Sequence, residues 1–314
     1  MRPVKIASRA SKLAMAQSNY IRETLQSICA ELEVSIVEIS TKGDRDKSEF
    51  LYKSDSVGFF TSEVENAILD GRADLAVHSL KDLPTACTTG LVIAATPKRE
   101  SVADALVSAS GVASIEELPT GATVGTSSLR RIAQLKHARS DLNCVPLRGN
   151  VETRVRKVAE GKVDAAVLAC AGLNRLGLAD KISGVLDPEQ FLAAPGQGAL
   201  AVQVRADDAE LIELVCRLND ESTRIAVETE RLVLAAMHGG CSIPLGVHCR
   251  VTEETVTISG MISDVEGLNL IRRTHSSPRS ESNICAEKLA AELLEAGGRE
   301  ILDQIRAERD ESNA

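Results

Sequence analysis

Four arginines, an aspartate and a cysteine carry the chemistry that this sequence can be expected to do. Arg130 and Arg131 stand in TSSLRR at 126–131, and Arg148 and Arg154 stand in and just after LRGN at 147–150. A guanidinium group stays charged at any biological pH and presents a planar fork of donors that matches a carboxylate or a phosphate. Asp82, in VHSLKDLP at 77–84, is a single carboxylate among many cations. Such a group is expected to remain ionised, where it can stabilise a developing cation or accept an N–H, although a turn residue before Leu83-Pro84 reads equally well. Cys241 sits in HGGCSIPLG at 238–246, where Gly239 and Gly240 permit a tight turn and Pro244 fixes the exit. A thiol on a constrained loop suits covalent attachment, but a nucleophile or a redox-sensitive surface thiol fits the same pattern. A metal set of His238, Cys241, His248 and Cys249 matches no usual zinc spacing.

The charge distribution is what gives the arginines meaning. The 314-residue chain has a formal charge of −9, yet residues 126–157 hold eight Lys or Arg against two acids. Ser127 or Ser128 is expected to cap a helix that starts near Leu129, which places Arg130 and Arg131 in its first turn. Cations there oppose the helix dipole, so an anion should be bound, unless the run is a solvated basic face. The solvated reading is preferred for Lys136, Arg139, Arg156 and Lys157. With 2% aromatic residues and no Trp, stacking on bases is a poor prospect and a nucleic-acid partner is not expected. No apolar run reaches the length of a membrane span, and no membrane contact is expected. Eight cysteines without a C-x-x-C pair indicate reduced thiols, a cytoplasmic setting and no metal. Cys29, Cys144, Cys170 and Cys216 are expected to pack in the core.

The elements that must position these groups alternate strand and helix, which predicts an α/β fold with a largely parallel sheet. Strands are expected at 4–8, 34–40, 74–79, 91–95, 122–126, 143–147, 165–169 and 199–204. Helices are expected at 12–32, 62–69, 129–137, 151–160, 209–218 and 223–237. Beyond Gly239 three alternating strands and two helices suggest a small α+β domain. In open α/β sheets ligands bind beyond the carboxyl ends of strands. Arg9 and Ser11, Lys81 and Asp82, Ser127 to Arg131, Arg148 and Asn150, and Gly172 and Arg175 each follow a predicted strand, so one polyanionic ligand site is expected. His78 is read as a packed strand residue.

Seven segments together carry a resemblance: KIASRASKLAMAQ at 5–17, DLAVHSLKDLPT at 74–85, VGTSSLRR at 124–131, LRGNVETR at 147–154, AGLNRLGL at 171–178, APGQGALA at 194–201 and GGCSIPLG at 239–246. In this order they make the chain resemble the porphobilinogen deaminase (hydroxymethylbilane synthase) family over essentially its whole length. The resemblance implies three α/β domains, two like the lobes of a type II periplasmic binding protein and a third that carries the cysteine. It places domain 1 at 1–97 and 198–219, domain 2 at 98–197 and domain 3 at 220–314.

It also implies a cytoplasmic, monomeric transferase of tetrapyrrole biosynthesis. Such an enzyme condenses four porphobilinogen molecules head to tail into hydroxymethylbilane, releases four ammonia molecules and passes its product to the next enzyme. The primer is a dipyrromethane cofactor joined by a thioether to Cys241. By the same match Asp82 acts at the pyrrole nitrogens and helps stabilise the cation formed on deamination. Arg9, Ser11, Lys53, Lys81, Ser127, Ser128, Arg130, Arg131, Arg148, Arg154 and Arg175 bind acetate and propionate groups. Phe60, Gly172 and Gln197 line the active-site region. One departure is Val57 in DSVGFFTSE at 55–63, where many bacterial members carry Lys; the loop 41–59 is expected to act as a lid. A non-catalytic carboxylate binder and a sensor using Cys241 are the rival classes.

Overall fold

The computed structural model describes residues 2–41, 61–237 and 243–313. They fall into two compact units, one of Met1–Glu100 with Ala199–Arg224 and the other of Ser101–Gly198 with Ile225–Ala314.

The first unit is built on a five-stranded sheet. β1 (Val4–Arg9) pairs in parallel with β2 (Val34–Ile39) and with β3 (Leu75–Ser79). β4 (Leu91–Ala95) completes the sheet through β10 (Leu200–Arg205), which is antiparallel to both β3 and β4. Helix α1 (Lys12–Ile28) starts at Ser11, whose side chain accepts from the Ala14 N–H at 3.3 Å, and it buries Gln17, Ser18, Ile21 and Leu25 at helical spacing. Together with α6 (Ala209–Cys216) it covers one face of the sheet, in a core of Ile6, Leu25, Leu75, Val202, Leu211 and Val215. Helix α2 (Ser62–Leu69) covers the other face with Val64, Ala67 and Ile68.

The second unit holds another five-stranded sheet, of β5 (Asp104–Ser108), β6 (Thr123–Gly125), β7 (Asn143–Val145), β8 (Ala165–Ala169) and β9 (Gly184–Val185). β6 runs parallel to β7 and β8, and β5 runs antiparallel to β8 and β9. Alternate residues of β5 and β8 feed two cores: Leu106 and Val167 lie in one, Ala105, Val107, Ala166 and Leu168 in the other. A sheet buried on both faces needs apolar residues at every position, and this explains the unbroken run AAVLA of β8. Helices α3 (Leu129–Ala138), α4 (Val151–Ala159) and α5 (Cys170–Arg175) follow β6, β7 and β8 in turn. The remainder is a three-stranded antiparallel sheet of β11 (Leu245–Val251), β12 (Thr255–Ile262) and β13 (Ile271–Pro278). It packs a separate core against α8 (Ser282–Leu293) and α9 (Arg299–Asn313), joined by the end of α7 (Glu221–Ala236).

The expected strands and helices are present within a few residues at each end, and the expectation of a largely parallel sheet is corrected. Both five-stranded sheets are mixed, because in each a strand begins at the carboxyl edge of the parallel strands. Leu200 of β10 lies opposite Ser79, the last residue of β3, and Asp104 of β5 lies opposite Ala169, the last residue of β8. A strand that starts at that edge can only run antiparallel to its neighbour. β5 itself was not among the expected strands.

Candidate active site

In the first unit the candidate residues sit at the carboxyl ends of the parallel strands β1 and β3. Arg9 closes β1, and Ser11 begins α1 two residues later. β3 passes into a single 3-10 turn, Leu80–Asp82, anchored by the buried Leu80, whose N–H donates to the Ala199 carbonyl at 3.0 Å. Lys81 is half-buried and Asp82 is exposed at the end of the turn. A cleft of about 90 Å³ opens there, lined by Arg9, Ser11, Gln17, Thr61, His78 and Asp82 among others. Gln17 Nε2 donates to Ser79 Oγ at 2.8 Å and holds the strand end against α1. His78 is buried as expected, and burial lowers its pKa to about 4, so it is neutral at physiological pH. Gln203 lies against the ring, but its Oε1 and the His78 Nε2 both fall short of hydrogen-bond geometry.

In the second unit the basic residues follow β6, β7 and β8, again at the carboxyl edge of parallel strands. Ser128 is the N-cap of α3 but makes no side-chain capping bond, and Ser127 Oγ donates to the Leu147 carbonyl at 3.3 Å. Arg130 and Arg131 occupy the first turn, and both are buried, at 4% and 7% exposure. Their counter-ion is Asp104, the first residue of β5, which is fully buried. Arg131 Nη2 donates to Asp104 Oδ1 at 2.7 Å, and Arg131 Nη1 donates to the Val167 carbonyl at 3.0 Å. Arg130 Nη1 lies 2.9 Å from Asp104 Oδ2, an ion pair whose angle is outside hydrogen-bond geometry, and donates to the Leu192 carbonyl at 2.6 Å. Gln197 Nε2 donates to Asp104 Oδ1 at 2.8 Å and to the Val102 carbonyl at 2.9 Å. Gln134 secures Leu192 from below, accepting from its N–H at 2.7 Å and donating to its carbonyl at 3.0 Å.

The electrostatics follow from that packing. Burial by itself pushes the Asp104 carboxyl up, but the two guanidinium groups overcome it and hold it well below the usual carboxylate range. Burial pulls Arg130 down, with Asp104 opposing and Arg131 adding to the fall. Two buried cations thus face one buried anion, and among the described residues the Nε–H of each arginine has no hydrogen-bond partner. The sequence reading left these arginines to an external anion or to solvent. The structure supplies an internal carboxylate that the reading missed; the signal was an acid directly before the short apolar run ALVS at 105–108.

Arg148 and Arg154 are set by the turn between β7 and α4. Gly149 has φ +113°, and a Cβ there would meet the Thr153 side chain at 2.7 Å, so only glycine fits. Asn150 caps α4, accepting from the Thr153 N–H at 2.9 Å, and Arg154 Nε donates to the Gly149 carbonyl at 2.8 Å. Arg175, in α5, donates to the Gly198 carbonyl at 2.7 Å, and Gly172 is buried in the same helix. Glu230 is a further residue that the reading missed. It is fully buried in α7 and accepts from the Gly196 N–H at 2.7 Å and the Cys249 N–H at 2.9 Å, which ties the loop before Gln197 to β11.

Lys53, Val57, Phe60, Cys241 and most of the expected lid lie outside the described residues. Cys170 is buried and Cys29 and Cys144 are half-buried, but Cys216 is exposed, contrary to expectation. The period of α6 turns Leu211, Leu214 and Val215 inward and carries Cys216 to the rim, where its thiol donates to the Ala94 carbonyl at 3.3 Å. Among the described residues no group of three His, Cys, Asp or Glu could hold a metal ion, and no helix is long and apolar enough to cross a membrane.

Fold and site together define a mixed α/β protein whose second unit gathers arginines in the turns and helices that follow its parallel strands. Residues 4–213 match the family described as porphobilinogen deaminase, dipyromethane cofactor binding domain, and residues 224–295 match porphobilinogen deaminase, C-terminal domain. Porphobilinogen deaminase of Syntrophobacter fumaroxidans is 40% identical over 97% of this chain and 98% of its own. That of Pelotomaculum thermopropionicum is 44% identical over 98% of both. A looser likeness, with a TM-score of 0.39 and 12% identity over 74% of this chain and 81% of the other, is to a TRAP periplasmic solute binding protein from Pseudomonas putida F1. The chain belongs to the porphobilinogen deaminase family.

Proposed function

We propose that this protein is a hydroxymethylbilane synthase, a transferase that joins four porphobilinogen molecules head to tail and releases four ammonia molecules. The observation that carries the reading is the cleft at the end of β1 and β3, where Asp82 stands with Arg9 and Ser11. As the substrate's aminomethyl C–N bond breaks and ammonia departs, positive charge spreads over the pyrrole ring. The exposed carboxylate of Asp82 accepts the pyrrole N–H and stabilises that charge. Among the described residues it has no ion-pair or hydrogen-bond partner to compete. Arg9, Ser11, Lys53, Lys81, Ser127, Ser128, Arg130, Arg131, Arg148, Arg154 and Arg175 hold the acetate and propionate groups of substrate, primer and growing chain, with Phe60, Gly172 and Gln197 lining the site.

The dipyrromethane group fits the residues present, since Arg130 and Arg131 share the single carboxylate of Asp104 and the remaining positive charge suits a polycarboxylate. It supplies the nucleophilic pyrrole carbon from which the chain grows, and Cys241 is the residue we assign to its thioether. We assign domain 1 to residues 1–97 and 198–219, domain 2 to 98–197 and domain 3 to 220–314. Support for that division comes from the chain's passage between units at 100/101, 198/199 and 224/225. A monomer that passes hydroxymethylbilane to the next enzyme completes the reading, in a cytoplasmic setting supported by cysteines that are free throughout the described residues.

The test is release of ammonia and formation of bilane from porphobilinogen, with intact mass measured on the purified protein. The reading expects turnover and a covalent adduct of two pyrrole units that is lost in Cys241→Ser. A well-folded, substrate-supplied protein with an unmodified mass and no ammonia release rejects it.

A further inference from the structure

We propose that Asp104 is a positioning residue for the carboxylate site, holding Arg130 and Arg131 apart in one fixed arrangement so that their remaining donors meet a ligand carboxylate already aligned. The inference rests on the reading of the site given above and adds a residue outside the motifs that identify the family.

Three observations support it. One carboxylate divides its oxygens between two arginines, with Oδ1 2.7 Å from Arg131 Nη2 and Oδ2 2.9 Å from Arg130 Nη1. Each guanidinium is then fixed a second time by a backbone carbonyl, Leu192 for Arg130 and Val167 for Arg131, so neither can rotate without breaking two contacts. Asp104 itself is oriented by Gln197, which donates to Oδ1 at 2.8 Å. A side chain restrained this way loses little freedom when a ligand arrives, and that is the basis of preorganised binding.

The charge count points the same way. Two buried guanidinium groups against one buried carboxylate leave one excess positive charge, and among the described residues neither Nε–H has a hydrogen-bond partner. A buried charge without a partner is costly. If Asp104 served only to neutralise and stabilise, a second acid would complete the balance. The deficit of one anion instead leaves the cluster poised for a single ligand carboxylate. The place of Asp104 in the fold explains how it reaches the site. It opens β5, the strand that enters the sheet at the carboxyl edge of β8, opposite Ala169. A residue at the start of an antiparallel strand there shares the edge at which the parallel strands deliver their ligand-binding groups.

The experiment measures affinity apart from turnover. Porphobilinogen is titrated calorimetrically into the protein as purified, carrying Asp82→Asn to block consumption, with and without Asp104→Asn, and the urea midpoint of each is recorded. Loss of positioning is expected to weaken binding by roughly ten- to a hundredfold, as misplacement by about 1 Å does elsewhere. Tighter binding in Asp104→Asn, from the extra net positive charge, overturns the proposal, as does a lowered urea midpoint with unchanged affinity. Should Asp104→Asn fail to fold, Gln197→Met keeps every charge and removes the amide that orients Oδ1, along with its bond to the Val102 carbonyl; a weakened affinity with an unchanged urea midpoint supports the proposal and an unchanged affinity overturns it. Ammonia release by the wild-type chain tests the substrate reading separately: its absence rejects the substrate, whereas normal turnover with unchanged affinity in the variant rejects Asp104 alone.

Discussion

Asp82 and Arg9 line the same cleft, one from the turn after β3 and the other from the end of β1, the strand beside it in parallel register. Parallel pairing puts both strand ends on one edge of the sheet, so residues far apart in the chain become neighbours. Replacing Asp82 by Asn keeps the shape and removes the charge. Turnover is expected to fall by roughly a hundred- to a thousandfold, the usual cost of losing one electrostatic partner of a transition state. KM should move far less, and the urea midpoint should hold because Asp82 is exposed. Steady-state kinetics with a parallel unfolding curve check this; near-normal kcat rejects the role.

Gly149→Ala should separate geometry from charge. The positive φ and the approach to Thr153 leave no room for a methyl group, and the backbone cost alone is about 1–2 kcal/mol. The turn must shift, carrying Arg148 and the capped start of α4 with it. A lowered urea midpoint together with weaker porphobilinogen binding is expected, although no charged group has been removed.

Arg154 and Arg156 offer a paired control on one helix. Arg156 is exposed and forms an i,i+4 ion pair with Glu160 at 3.5 Å, a contact worth at most about 0.5 kcal/mol. Arg156→Ala should leave both stability and KM nearly unchanged. Arg154→Ala should raise KM with little change in the unfolding midpoint. Equal effects on KM would remove the distinction between a ligand arginine and a surface arginine.

His78 makes stability depend on pH. Burial lowers its pKa from 6.5 to about 4, so the unfolded chain binds more protons between those values. Stability is therefore lost as pH falls from about 6.5 to about 4 and is retained above that window. The full effect is roughly 3 kcal/mol from this residue at 1.36 kcal/mol per pK unit. In His78→Asn the difference between urea midpoints at neutral and acid pH should shrink. An unchanged difference would show that His78 is not the titrating group.

The positions of Arg9, Asp82, Arg130, Arg148 and Arg175 near the ends of strands were legible because each closely follows a short apolar run. Strand and helix periods are local properties, and a residue's place just after a strand survives any arrangement of the sheet. The antiparallel sense of β5 and β10 was not legible, because a single strand reads the same in either direction. With β5 unrecognised, Asp104 had no reason to be placed near the arginines, and Arg130 and Arg131 were left to an outside anion.

The sequence by itself determined which groups exist, their charges at any biological pH, their order, and that most of them stand at the ends of strands. Only the tertiary structure decided which charge faces which. Burial and pairing depend on contacts between distant segments: Arg131 with Asp104, Gln197 with Asp104, Glu230 with Gly196. An arginine that is solvated in the unfolded chain becomes a fixed, nearly dry donor once a carboxylate from another strand closes on it. That change comes from the low dielectric of the interior and the geometry of the sheet edge, neither of which is written in the order of residues around TSSLRR.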